Sequence, residues 1–233
     1  MAEQRVRVWD LPTRIFHLFL ILGVSGSLIT VYASDELMVW HGRCGVFLLA
    51  LLLWRLVWGW VGGHWSRFVH FVEHPKAALQ TLQNHRAGQH TPSLGHNPLG
   101  GWSVLFMLCA LLLQAATGLF SDDEVAFSGP LSAYLSASGV EWVTWYHSEV
   151  GQPLIGSLIG LHVAVIFYHR WRLHDDLITP MITGDKIWPV AEQPSGSAAP
   201  TPVKASEDTW VRRSAALVLW CVLNAACFYG LPL

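Results

Sequence analysis

The chain has 233 residues, 52% of them hydrophobic and only 13% charged, with 13 tryptophans and a formal net charge of -2. Soluble domains carry roughly 25% charged residues, so the composition excludes an ordinary soluble fold, and the small net charge gives no sign of a nucleic-acid partner. Cys44, Cys109, Cys221 and Cys227 form no C-x-x-C pair and no C-x-x-C-H, which excludes covalently attached c-type haem and leaves them packing roles.

Five stretches, near 15–33, 40–61, 102–120, 152–172 and 212–231, reach the roughly 20 apolar residues that a bilayer crossing needs. Backbone groups in lipid must be satisfied within the segment, so helical spans are expected, and no stretch reads as alternating strand. Tryptophan suits such a chain because it collects where lipid tails meet headgroups.

The first span follows Val8-Trp-Asp-Leu-Pro-Thr-Arg14 and carries His17 about one turn inside. No small-residue cleavage site follows it, so it reads as a retained span and not as a signal peptide. His41 opens the second span from the other side. The loop 62–101 holds His64, His70, His74, His85, His90 and His96. His70 and His74 have i, i+4 spacing, but the acidic base of a zinc helix is missing, so solvated or headgroup contacts are expected there.

After the third span, the loop 121–148 carries Asp122, Asp123, Glu124 and Glu141 with no Lys or Arg. It reads as the complement of a charge bias across the membrane, or as a face that steers a basic partner. His147 stands just before the fourth span. His162 is 15 residues further on, about 22 Å along a continuous helix. Pro153 lies between them and either starts the span or kinks it.

The segment 192–206, rich in Pro, Ser and Ala, reads as a linker. The division expected is a working domain over 1–190, a linker over 191–211 and a further helix over 212–233. In that helix Ala215, Ala216, Ala225 and Ala226 allow close packing, as an anchor or a docking surface.

Basic residues orient the spans. Arg5, Arg7, Arg14, Arg55, Arg67, Lys76, Arg86, Arg170, Arg172, Lys186, Lys204, Arg212 and Arg213 all fall on one side if five spans alternate, and only Arg43 falls on the other. The positive-inside rule puts the N-terminus in the cytoplasm and the C-terminus outside.

A histidine in a span needs a partner, a proton task or a metal. Depth pairs His41 with His147 near the outer face and His17 with His162 towards the inner face. Two neutral imidazoles facing one another across a four-helix core form a natural axial set for b-type haem. His169, two turns beyond His162 on nearly the same face, competes for the inner site. Arg14 and Arg43, close in sequence to His17 and His41, are candidates for the haem propionates.

Val8-Trp-Asp-Leu-Pro-Thr-Arg-Ile-Phe-His17, Trp40-His-Gly-Arg-Cys-Gly45 and Trp65-Ser-Arg-Phe-Val-His-Phe-Val-Glu-His-Pro75 resemble the bacterial cytochrome b561 family and the b-type cytochrome subunits of nickel-iron hydrogenases. So do Gly95-His-Asn-Pro-Leu-Gly-Gly101, Thr117-Gly-Leu-Phe120 and Asp176-Leu-Ile-Thr-Pro-Met-Ile-Thr-Gly184. The resemblance covers roughly 5–190.

It implies an all-α, integral-membrane, four-helix haem-binding bundle, to which this chain adds a fifth C-terminal helix. By motif position it also implies His17, His41, His147 and His162 as ligands of two haems b, which favours His162 over His169. The expected function is electron transfer across the bacterial inner membrane between quinone and a periplasmic c-type cytochrome or oxidoreductase subunit. An alternative is the membrane subunit of a hydrogenase-like complex. A metal-ion transporter is the alternative from another class, and the lack of intramembrane carboxylates counts against it.

Overall fold

The computed structural model describes residues 3–89, 92–125, 127–189 and 203–231. Along it run β1 (Glu3–Arg7), α1 (Leu11–Ala33), α2 (Met38–Val61), the single turn α3 (Phe68–Phe71), α4 (Pro75–Arg86) and α5 (Pro98–Phe120). There follow α6 (Ala137–Trp145), a π-helical segment (Tyr146–Gly151), α7 (Gln152–Arg172), α8 (Ile178–Thr183), β2 (Asp185–Pro189) and α9 (Trp210–Gly230). Five helical runs are long and apolar enough to cross a membrane: Leu11–Ala33, Asp35–Val61, Pro98–Phe120, Ala137–Arg172 and Trp210–Gly230. The chain is an all-α integral-membrane bundle with a fifth C-terminal helix.

Two helices begin ahead of their apolar runs because polar caps sit outside those runs. Asp10 Oδ1 accepts from Thr13 N at 2.8 Å and starts α1 at Leu11; Asn97 Oδ1 accepts from Gly100 N at 2.7 Å and starts α5 at Pro98. In the fourth span α7 covers the expected 152–172, but the helical run that contains it begins further back, at Ala137. Pro153 lacks an N–H and its ring crowds the preceding turn. The wider π turn ahead of it absorbs that mismatch, so His147 lies inside the continuous helical run.

The described residues form two compact units. The first is drawn from Met1–Arg14, Trp58–Ser103 and Ala164–Arg213. Its centre is Asp10, a carboxylate only 1% exposed. Besides capping α1, Asp10 Oδ2 accepts from Gly63 N at 2.8 Å and Ser66 Oγ at 2.9 Å, and Trp58 Nε1 donates to Oδ1 at 3.3 Å.

Strands β1 and β2 pair antiparallel, with Arg5 opposite Ile187 and Arg7 opposite Asp185. This corrects the expectation that nothing reads as strand. Val6 and Val8 alternate with Arg5 and Arg7, but five residues with a partner so distant in sequence cannot hold a ladder without tertiary cover. Gly184, at φ +92, closes α8, and its carbonyl accepts from Val8 N at 2.9 Å and Trp9 N at 3.1 Å.

The linker expected over 191–211 lies partly outside the described residues. Within its described part, Ser206 N donates to Arg7 O at 2.7 Å, and Asp208 accepts from Arg7 Nη1 at 2.9 Å and Arg213 Nε at 2.8 Å.

A Cβ on Gly101 would collide with the carbonyl oxygen of Phe71. Because that obstacle is backbone, we expect Gly101→Ala to destabilise the fold by about 1–3 kcal/mol. The check is a lowered thermal unfolding midpoint in detergent relative to Gly100→Ala.

The second unit is drawn from Ile15–Val57, Val104–Val163 and Ser214–Leu233, so all five long helices contribute to it. α2 is the most buried of them: half of its most apolar window is buried, against 11–22% in the others. Val46, Ala50 and Cys227 form a core between α2 and α9, flanked by Leu53, Leu119 and Trp220. Trp54 Nε1 donates to Ala216 O at 3.0 Å, so the small residues of α9 receive a helix of their own chain. Leu22, Ile29, Phe106, Leu161 and Leu217 stand exposed on the same helices. In water such a surface would be a liability, and in hydrocarbon it is the expected exterior.

Candidate metal centres

The second unit brings the four span histidines together two by two. The rings of His41 on α2 and His147 on the π segment have centroids 6.1 Å apart at 89°. Those of His17 on α1 and His162 on α7 are 6.4 Å apart at 56°. Transition metals bind an imidazole nitrogen at about 2 Å, so one ion held between two such nitrogens separates the ring centroids by about 6 Å. Both pairs have that spacing.

The pair of His41 and His147 also shows which nitrogens are available. His41 Nδ1 lies 3.0 Å from Ser27 O and 3.2 Å from Ser27 Oγ; His147 Nδ1 lies 3.0 Å from Gln114 O and 3.3 Å from Thr117 Oγ1. A carbonyl only accepts, so each Nδ1 carries the proton and donates, which leaves Nε2 with its lone pair for a metal.

An apolar cavity of about 320 Å³ lies beside both rings, lined by Leu48, Leu52, Leu111 and Leu119. Glycine keeps it open: a Cβ on Gly118 would sit 2.9 Å from His147 Cε1, while one on Gly45 would meet nothing within 4 Å. Facing nitrogens, an apolar slot and fixed tautomers fit a flat, iron-bearing macrocycle.

The other sequence candidates are placed as follows. Arg43 stacks on Trp40, 4.8 Å from the ring centroid, and Arg14 Nη2 donates to Ile182 O within the first unit. His169 belongs to the first unit and is 7% exposed. Its Nδ1 is 3.5 Å from Asp175 Oδ2, and its ring is 6.0 Å from that of His85.

Two residues of the second unit escaped the sequence reading. Arg55, counted only as an anchoring cation, is 4% exposed, with its guanidinium 6.0 Å from the Phe16 ring. Its signal was its position within the apolar run instead of beyond it. Gln114, the only amide of the third span, was the comparable signal there.

The loop histidines have separate local tasks. His74 Nδ1 accepts from Lys76 N at 3.3 Å and caps α4, and His96 packs against Trp9 and Phe71. His64 and His70 stack with centroids 3.9 Å apart, too close to admit an ion between their faces. Burial first, and then the neighbouring His70, Lys204 and Arg67, lower the pKa of His64. His90 lies outside the described residues. Among the described residues no three His, Cys, Asp or Glu side chains gather as a metal cluster.

Lys186 contacts Asp175 at 2.7 Å and Ser93 O at 2.9 Å. Burial pushes the Asp175 carboxyl up, but hydrogen bonds from His169 and Lys186 outweigh it and hold the group at about 2, against an ordinary 3.8. A folded value below the unfolded one gives stability that is present above about pH 4 and lost as the pH falls towards 2. It amounts to about 2 kcal/mol. We therefore expect the gap in unfolding midpoint between wild type and Asp175→Asn to be widest above pH 5 and to narrow as the pH falls through this window.

A sequence profile of the prokaryotic cytochrome b561 family matches residues 8–184. The chain belongs to that family. As a prokaryotic b561 cytochrome it is a multi-pass membrane electron-transfer protein, and haem b is the group its paired imidazoles suit. The family match contains all four span histidines and ends ahead of α9. The chain is also similar to a protein of Bradyrhizobium diazoefficiens named "Probable Ni/Fe-hydrogenase B-type cytochrome subunit". The two are 24% identical over 220 residues, which cover 80% of this b561 chain and 87% of the relative. No solved structure matches the chain.

Proposed function

We propose that this b561 cytochrome carries two haems b, one held by His41 and His147 and the other by His17 and His162, and passes electrons across the bacterial inner membrane. The donor or acceptor in the lipid is quinone. The redox partner outside is a periplasmic c-type cytochrome or an oxidoreductase subunit. The observation that carries this reading is the common spacing, 6.1 and 6.4 Å, of two separate imidazole pairs in one helical unit.

Haem supplies a one-electron iron couple. The chain's residues do the rest. His147 and His162 are about 22 Å apart along their helical run, so the two sites divide a hydrocarbon layer about 30 Å thick into shorter steps. Ser27 and Gln114 carbonyls hold the outer imidazoles in the ligating tautomer, and the leucine walls give the outer site apolar surface. Arg43 is offered as a propionate partner, with His169 as an interfacial histidine.

The positive-inside bias puts the N-terminus in the cytoplasm and the C-terminus in the periplasm. The inner pair then lies towards the cytoplasm, and the acidic loop containing Asp122, Asp123 and Glu124 faces a basic partner outside. The core of this activity lies within 1–190, with α9 as an addition after the linker. Similarity to the Bradyrhizobium protein favours a second reading, in which the chain is the membrane subunit of a hydrogenase-like complex.

Protein purified in detergent tests these statements. Two haems b per chain by pyridine haemochrome, and reduction by a short-chain quinol, are expected. Haem-free protein from haem-replete cells would overturn the reading, and haem that quinol cannot reduce would remove quinone from it. Co-purification of a large catalytic subunit selects the second reading over a free-standing cytochrome.

A further inference from the structure

We infer that Gln114 is the positioning residue of the outer haem: its main chain selects the nitrogen of His147 that meets the iron, and its side chain holds the π segment that carries the ring. The inference rests on His147 being an axial ligand.

Gln114 contacts His147 at both ends. Its carbonyl accepts from the imidazole Nδ1 at 3.0 Å, while its side-chain Nε2 donates to the His147 carbonyl at 2.9 Å. That same carbonyl accepts the backbone N–H of Gln152, the bond that closes the π turn. One residue of α5 therefore ties both the ring and the irregular backbone beneath it. An amide within an apolar span is costly unless its groups are used, and here its donor secures the turn that Pro153 imposes.

Sterics support the same role. Gln114 Oε1 is buried with no hydrogen-bond partner among the described residues. It presses on Gly151, the last residue of the π segment, where any Cβ would collide with it. On the next turn of α5, Gly118 leaves room for the His147 ring, and Thr117 Oγ1 stands 3.3 Å from Nδ1. The ring thus sits in a socket made by the α5 face at 114, 117 and 118. Local π turns recur at functional sites, and hydrogen bonds behind a ligand tune both its basicity and the metal's reduction potential.

Removing only the side-chain bond should let the π segment relax and turn the ring about its bond to iron. In the full-length dihaem protein, Gln114→Leu should shift the low-temperature EPR g-maximum and the midpoint potential of the outer haem. The inner haem signals should stay in place, with two haems still bound. Gly151→Ala, which expels the amide by contact, should move the same signals, and Gln114→Asn, which withdraws it by one methylene, gives a milder route if the first two accumulate poorly. Wild-type outer signals and potential in these variants would overturn the inference while leaving the haem assignment intact. Retention of both haem signals in His147→Ala would instead overturn the ligand assignment beneath it.

Discussion

Under the proposed assignment, alanine at His41 or at His147 is expected to remove the haem held by that pair and spare the other; alanine at His17 or His162 should do the converse. Under the proposed two-haem assignment, each variant is expected to bind one haem per chain instead of two. The effect is a whole cofactor because the opposing histidine cannot replace a missing nitrogen from the facing helix. Even groups behind a ligand are worth roughly 10–100-fold in metal affinity, and the ligand itself is worth more.

Reduced-minus-oxidised spectra with haem quantification check this, and the two sites should be distinguishable by potential. His169→Ala should keep both haems, since His169 is engaged elsewhere, its Nδ1 3.5 Å from Asp175 Oδ2 and its ring 6.0 Å from that of His85. Loss of the inner signal in His169→Ala, with retention in His162→Ala, would reverse that choice of ligand.

Asp10→Ala is expected to destabilise the protein by about 3–5 kcal/mol, since each buried donor left unsatisfied costs about 1–3 kcal/mol. The substitution strands the Gly63 amide, the Ser66 hydroxyl and the Trp58 indole N–H in the interior, and it uncaps α1. For a chain of this length that corresponds to a fall on the order of 10 °C in the unfolding midpoint. Asp10→Asn, which keeps one acceptor oxygen, should lose less. Scanning calorimetry or tryptophan fluorescence in detergent measures both. Because Asp10 bonds Thr13, Trp58, Gly63 and Ser66 and none of the paired histidines, haem content in the cold should remain unchanged, which separates this loss from that of a ligand variant.

Much of this architecture was legible in residue order. Lipid permits only internally satisfied backbone, so apolar length alone located the five spans, and depth pairs His41 with His147 and His17 with His162, the rings that stand 6.1 and 6.4 Å apart. The boundaries were less legible. Asp10 and Asn97 are polar and lie outside the hydropathy signal, yet they start α1 and α5, and the π turn before Pro153 joins α7 to a helical run that reaches back to Ala137. The ribbon of β1 and β2 went unread because its stability comes from pairing across the chain and from the cover around Val6 and Val8.

By itself the sequence determined that this protein crosses the membrane as helices, and which histidines those helices carry. These follow from composition and periodicity, which are properties of single segments. Only the tertiary structure decided that His41 and His147, and likewise His17 and His162, face each other at a metal's spacing, that Ser27 and Gln114 set the tautomers of the outer pair, and that Arg55 is buried. Those depend on groups brought together from different helices, where packing and hydrogen bonding act on distance in space and not along the chain.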